Sequence, residues 1–312
     1  MTIRIAIVGF GNIARVEHMP AIAANPDFEL AAVATRSGDP QVGVPAFADH
    51  LEMFASMGGK LDAVVIATPP HVRAAIARAA LAAGLAVLLE KPPATTLGEI
   101  DELERLAQRQ RTALYAAWHS QHAAGVRPAA ALLKGAEIRE LRISWFEDVR
   151  KFHGGQEWIW GPRGLGVFDP GINALSLASA ILPVPLLVRE AKVQVPANRC
   201  APIAAQLVFE GDDLTATFDW RLSEGEEWNI AVRTSDGRRL DLGEGGNRLY
   251  VDGVEQSLDR PGEYPPIYQR FAILCSTGQV EMDREPMRIL ADAARVQQRE
   301  IVEPFHWTQP GP

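Results

Sequence analysis

Lys91, Asp169 and Asn173 are the side chains of this 312-residue chain best placed to move a proton and to steady a developing charge. Lys91 stands in Glu90-Lys91-Pro92-Pro93, directly after the aliphatic run Ala86-Val87-Leu88-Leu89. Such a run reads as a short buried parallel strand with a turn just beyond it. In a doubly wound sheet, ligands collect outside the carboxyl ends of the strands, so Lys91 stands where substrate and cofactor meet; the plainer alternative is a solvated lysine at a strand end. Asp169 and Asn173 are four residues apart, which puts them on one helix face aimed into an interdomain cleft. The alternative is that Asp169, before Pro170, only caps the helix while Asn173 is solvated. Between residues 145 and 173 the chain gathers Trp145, Glu147, Asp148, Arg150, His153, Trp158 and Trp160 around Gly164, Gly166 and Gly171, glycines that permit an irregular loop.

A second constellation is Gly9-Phe10-Gly11-Asn12-Ile13-Ala14, directly after the expected strand Ile3 to Val8. Gly9 allows a tight turn, Gly11 lets backbone approach a pyrophosphate, and Ala14 fills the helix-packing position. Asn12 and Ile13 open the following helix, whose start favours phosphate charge. About twenty residues on, an acid would bond the ribose hydroxyls of NAD; this chain has Thr35-Arg36-Ser37 instead. An Arg beside hydroxyls can hold the 2′-phosphate of NADP by charge-assisted hydrogen bonds, so NADP is expected to be preferred and NAD accepted. If Arg36 only stacks on the adenine, both cofactors serve. Thr68-Pro69-Pro70-His71 follows another strand of this sheet and should wall the cofactor site, with His71 at a helix start and no catalytic role.

These groups need a scaffold, and the first third of the chain supplies a βα rhythm. Strands are expected at Ile3 to Val8, Leu30 to Ala34, Ala63 to Ala67, Ala86 to Leu89 and Ala113 to Ala117, a parallel-sheet pattern. Ala74, Ala77 and Leu81, and later Leu97, Ile100, Leu103 and Leu106, fall at helical spacing, and Thr96 with Glu99 makes a capping box. After Trp118 the rhythm changes. Strands are expected at Ile138 to Phe146, Leu187 to Val195, Ala204 to Phe209, Leu214 to Trp220, Trp228 to Thr234, Arg239 to Leu242 and Arg248 to Val251. Ser235-Asp236-Gly237 and Val251-Asp252-Gly253 carry hairpin-turn chemistry, so this second sheet should be largely antiparallel or mixed. Leu175 to Leu182 reads as a helix, Pro286 to Ile301 as a closing helix, and Pro310 to Pro312 as a frayed end. The expected fold is α/β, with a dinucleotide-binding domain over 1–120 and a substrate and oligomerisation domain over 121–312, whose closing helix packs back on the first.

Composition narrows the partners. With 47 % hydrophobic and 22 % charged residues the chain is an ordinary globular protein, and a net charge of -8 argues against nucleic acid or an anionic membrane surface. No leader-like start and no membrane-length apolar run is seen, so a cytoplasmic location is expected. Cys200 and Cys275 form no CxxC and have no histidine cluster, which argues against a disulfide framework or a structural metal.

Taken together, the glycine turn, Thr68-Pro69-Pro70, Ala83-Gly84, Glu90-Lys91-Pro92 and the Asp169/Asn173 pair resemble the oxidoreductase family of glucose-fructose oxidoreductase and inositol dehydrogenase, over nearly the whole chain. Trp118-His119-Ser120, Glu147-Asp148-Val149-Arg150, Gln156 to Trp160, Gly164 to Ser176 and Phe218 to Arg221 are similar to the bacterial 1-dehydrogenases of L-arabinose and D-galactose within it. The resemblance implies a Rossmann domain, a second domain with an open sheet that covers a face by forming a homo-oligomer, and oxidation of a pyranose at C1 to an aldonolactone. Catalysis would fall to Lys91, Asp169 and Asn173, with the final base undecided between Lys91 and Asp169. The cofactor would meet Gly9, Gly11, Asn12, Ile13, Thr35, Arg36, Ser37, Thr68, Pro69, Glu90 and Lys91. The sugar would meet Lys91, His119, Glu147, His153, Asp169, Asn173 and Trp228. Two departures stand out, since many members carry His where this chain has Arg73 and Asn173. Asn takes no proton at neutral pH, which moves acid-base work to Lys91 and Asp169. A sugar-sensing regulator of the same fold is the alternative, although it would not need the lysine.

Overall fold

The computed structural model describes residues 2–36 and 42–308. Ser37 and the expected frayed end at Pro310 to Pro312 lie outside the described residues. The chain divides into two compact units, Met1–His119 with Gly262–Arg284, and Ser120–Pro261 with Glu285–Pro312.

In the first unit the βα rhythm appears as read. The elements are β1 (Ile3–Val8), α1 (Met19–Ala24), β2 (Phe28–Ala34), β3 (Ala46–Phe47), α2 (His50–Met57), β4 (Ala63–Ile66), α3 (Pro70–Ala82), β5 (Ala86–Glu90), α4 (Leu97–Gln110) and β6 (Leu114–Ala117). Strand Val280–Glu281 extends the sheet beyond β6, giving a seven-stranded parallel order of Val280–Glu281, β6, β5, β4, β1, β2, β3. Alternate strand residues feed two cores. Ile5, Ile7, Val65 and Leu88 join Ala21, Ile22, Ile267, Tyr268 and Phe271 on one side, while Ala6, Val8, Val64, Ile66 and Leu89 join Ala77, Leu81, Leu103 and Ala107 on the other. Helix Tyr264–Thr277, which caps the first core, is absent from the sequence reading. Its two prolines occupy the first turn, where a missing N–H costs nothing.

At the start of α4, the Glu99 amide donates to Thr96 Oγ1 at 3.2 Å. The Glu99 carboxylate reaches one residue further back than the motif requires, accepting from the Thr95 amide and hydroxyl at 2.9 and 2.7 Å.

The second unit holds a nine-stranded mixed sheet in the order Val254–Glu255, Arg248–Val251, Arg239–Gly243, Glu227–Thr234, Ile138–Phe146, Leu214–Asp219, Ala204–Phe209, Val188–Pro196, Gln297–Val302. Leu214–Asp219 runs parallel to Ile138–Phe146, and Gln297–Val302 runs parallel to Val188–Pro196; the other pairs are antiparallel. Asp252 and Gly253 both take positive φ, as a two-residue hairpin turn requires. Leu141, Ile143, Trp145, Ile230 and Val232 are buried on one face, where helix Phe168–Ile181 packs. On the other face Arg142 pairs with Glu140, and Arg239 with Asp241.

The closing helix is shorter than expected. It spans Glu285–Val296, and the chain then becomes strand Gln297–Val302. Its backbone finds a ladder on the open edge of Val188–Pro196, and that tertiary pairing overrides local pattern. This helix belongs to the second unit, where it packs on Phe168–Ile181 and Val188–Pro196, while Gly262–Arg284 belongs to the first. Among the described residues no helix is long and apolar enough to cross a membrane.

Candidate active site and cofactor cradle

The cradle begins at Gly9. Its φ is +91°, and a Cβ there would stand 2.7 Å from the Thr68 amide nitrogen, so only glycine lets β1 pass this close to the turn after β4. A Cβ on Gly11 would meet nothing within 4 Å, which leaves open space above the crest of the turn. Helical backbone starts at Asn12 and Ile13, and the first amides of a helix lack intrahelical acceptors. Arg15 lies over the Phe10 ring at 4.5 Å. The Thr68 hydroxyl oxygen is buried with no hydrogen-bond partner among the described residues. Close backbone, open space and a waiting polar atom fit a dinucleotide. Thr35 and Arg36 follow β2, with Arg36 exposed, and Ser37 is not described.

Lys91 is the first residue past β5, as the strand pattern required, and it is half-buried. Its amide donates to Oε2 of Glu90 at 2.9 Å. Glu90 is buried, and its Oε1 accepts from the Tyr264 hydroxyl at 2.7 Å and lies 3.1 Å from His18 Nε2. Burial alone would raise this carboxyl; the His18 ring and the Tyr264 hydroxyl outweigh burial and hold it well below the usual carboxylate range.

Arg73 explains one of the two departures from the family pattern. It is buried on α3, and its guanidinium donates to the backbone carbonyls of Thr68, Glu90 and Pro92. One planar fork thus clips together the two turns at this sheet edge, a task for five fixed donors rather than an imidazole. His119 lies in the same unit, paired through Nδ1 with the Glu263 carboxylate and stacked on Tyr264 with ring centroids 5.8 Å apart.

The second unit assembles four of the other expected residues. Asp169 does not cap its helix: Phe168–Ile181 starts one residue earlier, its cap position is Val167, and Asp169 is buried within the first turn. His153, at the end of the short helix Val149–His153, brings Nε2 to 3.5 Å from Asp169 Oδ2 and its ring to 5.2 Å from that of Trp220. Glu147, just past strand Ile138–Phe146, is buried and takes two indole donors, Trp220 on Oε1 at 3.2 Å and Trp228 on Oε2 at 2.9 Å. Trp228 also stacks on Trp145 at 5.9 Å and meets Phe152 at 5.6 Å. Asn173 lies one turn beyond Asp169, half-buried. Gly171 belongs to this helix and not to a loop: a Cβ there would stand 2.9 Å from the Phe218 ring, so the glycine serves close packing.

Residues 3–117 match the model of an oxidoreductase family with an NAD-binding Rossmann fold. The chain is 41 % identical over 307 residues to galactose 1-dehydrogenase of Pseudomonas fluorescens, covering 97 % of this chain and 99 % of that one. This chain belongs to the glucose-fructose oxidoreductase and inositol dehydrogenase family. A D-galactose-1-dehydrogenase structure from Rhizobium etli superposes with a TM-score of 0.90 at 42 % identity, over 98 % of each chain. A 3-ketoreductase from Actinomadura kijaniata, solved with NADP and TDP-benzene, shares the fold at 19 % identity, with a TM-score of 0.82 over 97 % of this chain and 100 % of that one. The chain is therefore an oxidoreductase whose first unit is an NAD-binding Rossmann fold.

Two features of this chemistry escape sequence reasoning. His18 is a lone histidine with no motif around it, and Tyr264 lies in a helix the pattern did not reveal. The spacing of Tyr264, Ile267, Tyr268, Phe271 and Leu274 is the signal that finds that helix.

Proposed function

We propose that this protein is an NAD(P)-dependent aldose 1-dehydrogenase that oxidises D-galactose and L-arabinose, as pyranoses, to the aldonolactone. The end-to-end likeness to the Pseudomonas and Rhizobium galactose 1-dehydrogenases carries this reading. Lys91 at the carboxyl edge of β5 supports it, being the group a non-catalytic sensor would not need.

A bound nicotinamide would supply the hydride acceptor for C1. The C1 hydroxyl must lose its proton as the C1 oxygen becomes a carbonyl, so the site needs a cation to steady that oxygen and a base. Two assignments balance the proton. Lys91 as ammonium steadies the oxygen while Asp169 takes the proton, or Lys91 as a neutral amine takes it and Asp169 orients or relays. Asn173, with one acceptor and two donors, is assigned to a sugar hydroxyl, as are Glu147, His119 and His153, with Trp228 against a sugar face.

Galactose and arabinose share configuration at C2, C3 and C4. Glucose, the C4 epimer of galactose, would leave a hydrogen-bonding group of the pocket without its partner, a stronger discriminator than the hydroxymethyl group by which arabinose differs. NADP preference rests on Thr35 and Arg36 at the end of β2, with no acid there. Assembly through the second sheet is proposed on the family resemblance, and light scattering in solution tests it: a monomer refutes it.

The deciding experiment follows NADP and NAD reduction with galactose, arabinose and glucose. Galactose and arabinose should turn over, and glucose poorly. Lys91→Ala should abolish turnover while cofactor binding persists. Absence of sugar-dependent reduction, or unchanged turnover in Lys91→Ala, overturns the reading.

A further inference from the structure

The helix after the glycine turn is not a plain α-helix. Residues Ala14–His18 form a π turn that runs straight into α1. Such turns are rare and concentrate at functional sites. The last residue of this one is His18, which has no solvent exposure. Its Nε2 lies 3.1 Å from Glu90 Oε1 and its Nδ1 2.9 Å from the Tyr268 hydroxyl, while the Tyr264 ring stands edge-on at 5.0 Å.

Donor accounting orients the ring. An ionised carboxylate only accepts, so the Nε2 facing Glu90 carries hydrogen. Burial pushes the Tyr268 phenol well above its ordinary range, so it keeps its proton, and its hydroxyl, which can both donate and accept, holds Nδ1 at 2.9 Å. Three donors then converge on Glu90: His18 Nε2–H, Tyr264 O–H and the Lys91 amide. Also in this neighbourhood are Glu17 on the π turn, His119 and Glu263, which pair with each other, and Arg73, whose guanidinium donates to the Glu90 and Pro92 carbonyls.

We propose that His18 is a positioning residue for Lys91: the chain from Tyr268 through His18 to Glu90 and the Lys91 amide ties the helix of the cofactor turn to the turn that presents the lysine. Without the Nε2–H, a buried carboxylate loses one of its three donors and its hold on the Lys91 backbone loosens. The catalytic consequence rests on the dehydrogenase reading; the geometric one does not.

The test compares His18→Leu, which cannot donate to Glu90, with His18→Gln, whose amide can. Amine labelling mapped by mass spectrometry reads Lys91 against the exposed Lys60 and Lys134. His18→Leu should change the Lys91 labelling rate severalfold, and His18→Gln should return it toward wild type. In the same proteins kcat for galactose should fall roughly 10- to 100-fold in His18→Leu with sugar KM nearly constant, and recover in His18→Gln. Equal Lys91 labelling in all three proteins overturns the proposal, as does a His18→Gln variant no better than His18→Leu. If His18→Leu does not fold, the 15N spectrum of the wild-type ring at neutral pH decides: a ring that carries hydrogen on Nε2 supports the chain, and a ring protonated on Nδ1 alone refutes it. A wild-type protein that oxidises no sugar but shows the labelling pattern refutes the sugar reading and leaves the positioning role standing.

Discussion

His153 Nε2 stands 3.5 Å from Asp169 Oδ2, which joins the end of the five-residue helix Val149–His153 to the first turn of Phe168–Ile181. A buried carboxylate beside an imidazole is a proton acceptor with a ready partner. Asp169→Asn keeps the volume and removes the acceptor. If Asp169 takes the C1 hydroxyl proton, kcat with galactose falls by about 10²- to 10⁴-fold while the Kd for NADP holds. A kcat at the wild-type level removes Asp169 from the proton path and leaves Lys91 as the base.

Glu147 has a structural duty whatever it does for substrate. Its two oxygens accept from the indoles of Trp220 and Trp228. Glu147→Ala strands both N–H groups, and an unsatisfied buried donor costs about 1–3 kcal/mol. Thermal unfolding should show a lower midpoint, with Glu147→Gln intermediate because its single carbonyl oxygen still accepts. An unchanged midpoint in Glu147→Ala would mean that water reaches both indoles.

How much of this was readable from sequence depended on whether local pattern and tertiary demand agreed. At β1 and the glycine turn they agree: Ile5 to Val8 are apolar and buried in a parallel strand, and the turn after it needs glycine at Gly9 because Thr68 leaves no room. At Gln297–Val302 they disagree. Five of its six residues are exposed, its strand state comes from the open edge of Val188–Pro196, and nothing local announces it. Asp169 shows a third case, in which an Asp before Pro looks like a cap yet falls inside the helix and is buried beside a histidine more than a dozen residues away. The positions of Lys91, Asp169 and Asn173 at a strand end and on one helix were legible. The partners that Tyr264, Arg73 and His18 bring were not, because they depend on packing between distant segments.

The first unit should have a stability plateau bounded on both sides. The folded Glu90 carboxyl lies below its ordinary value of 4.5, so as pH falls the unfolded chain takes up that proton first. Its contribution is complete above about pH 4.5 and is lost as pH drops toward the folded value. On the alkaline side burial pushes the Cys275 thiol up from 9.0 to about 12 and raises the Tyr264 and Tyr268 phenols above 10.0. The unfolded chain loses these protons first, so their stabilisation fades above pH 9 to 10. Thermal midpoints across pH should trace this dome, and Cys275→Ala should flatten the start of the alkaline limb. A wild-type midpoint that rises above pH 10 would contradict the buried neutral phenols.

Arg36 decides between two cofactor readings, because a guanidinium just past β2 can grip a 2′-phosphate or merely stack on the adenine. The grip is specific to NADP, since hydrogen bonds to a charged group contribute about 1.5–3 kcal/mol, or roughly 10- to 150-fold in affinity. Stacking serves both cofactors alike. Arg36→Asp should therefore weaken NADP by roughly tenfold or more while NAD is retained or improved, because the new carboxylate repels the phosphate and can bond the ribose hydroxyls. Equal losses for the two cofactors would identify stacking as the role of Arg36, and the expected NADP preference would then have no support at the end of β2.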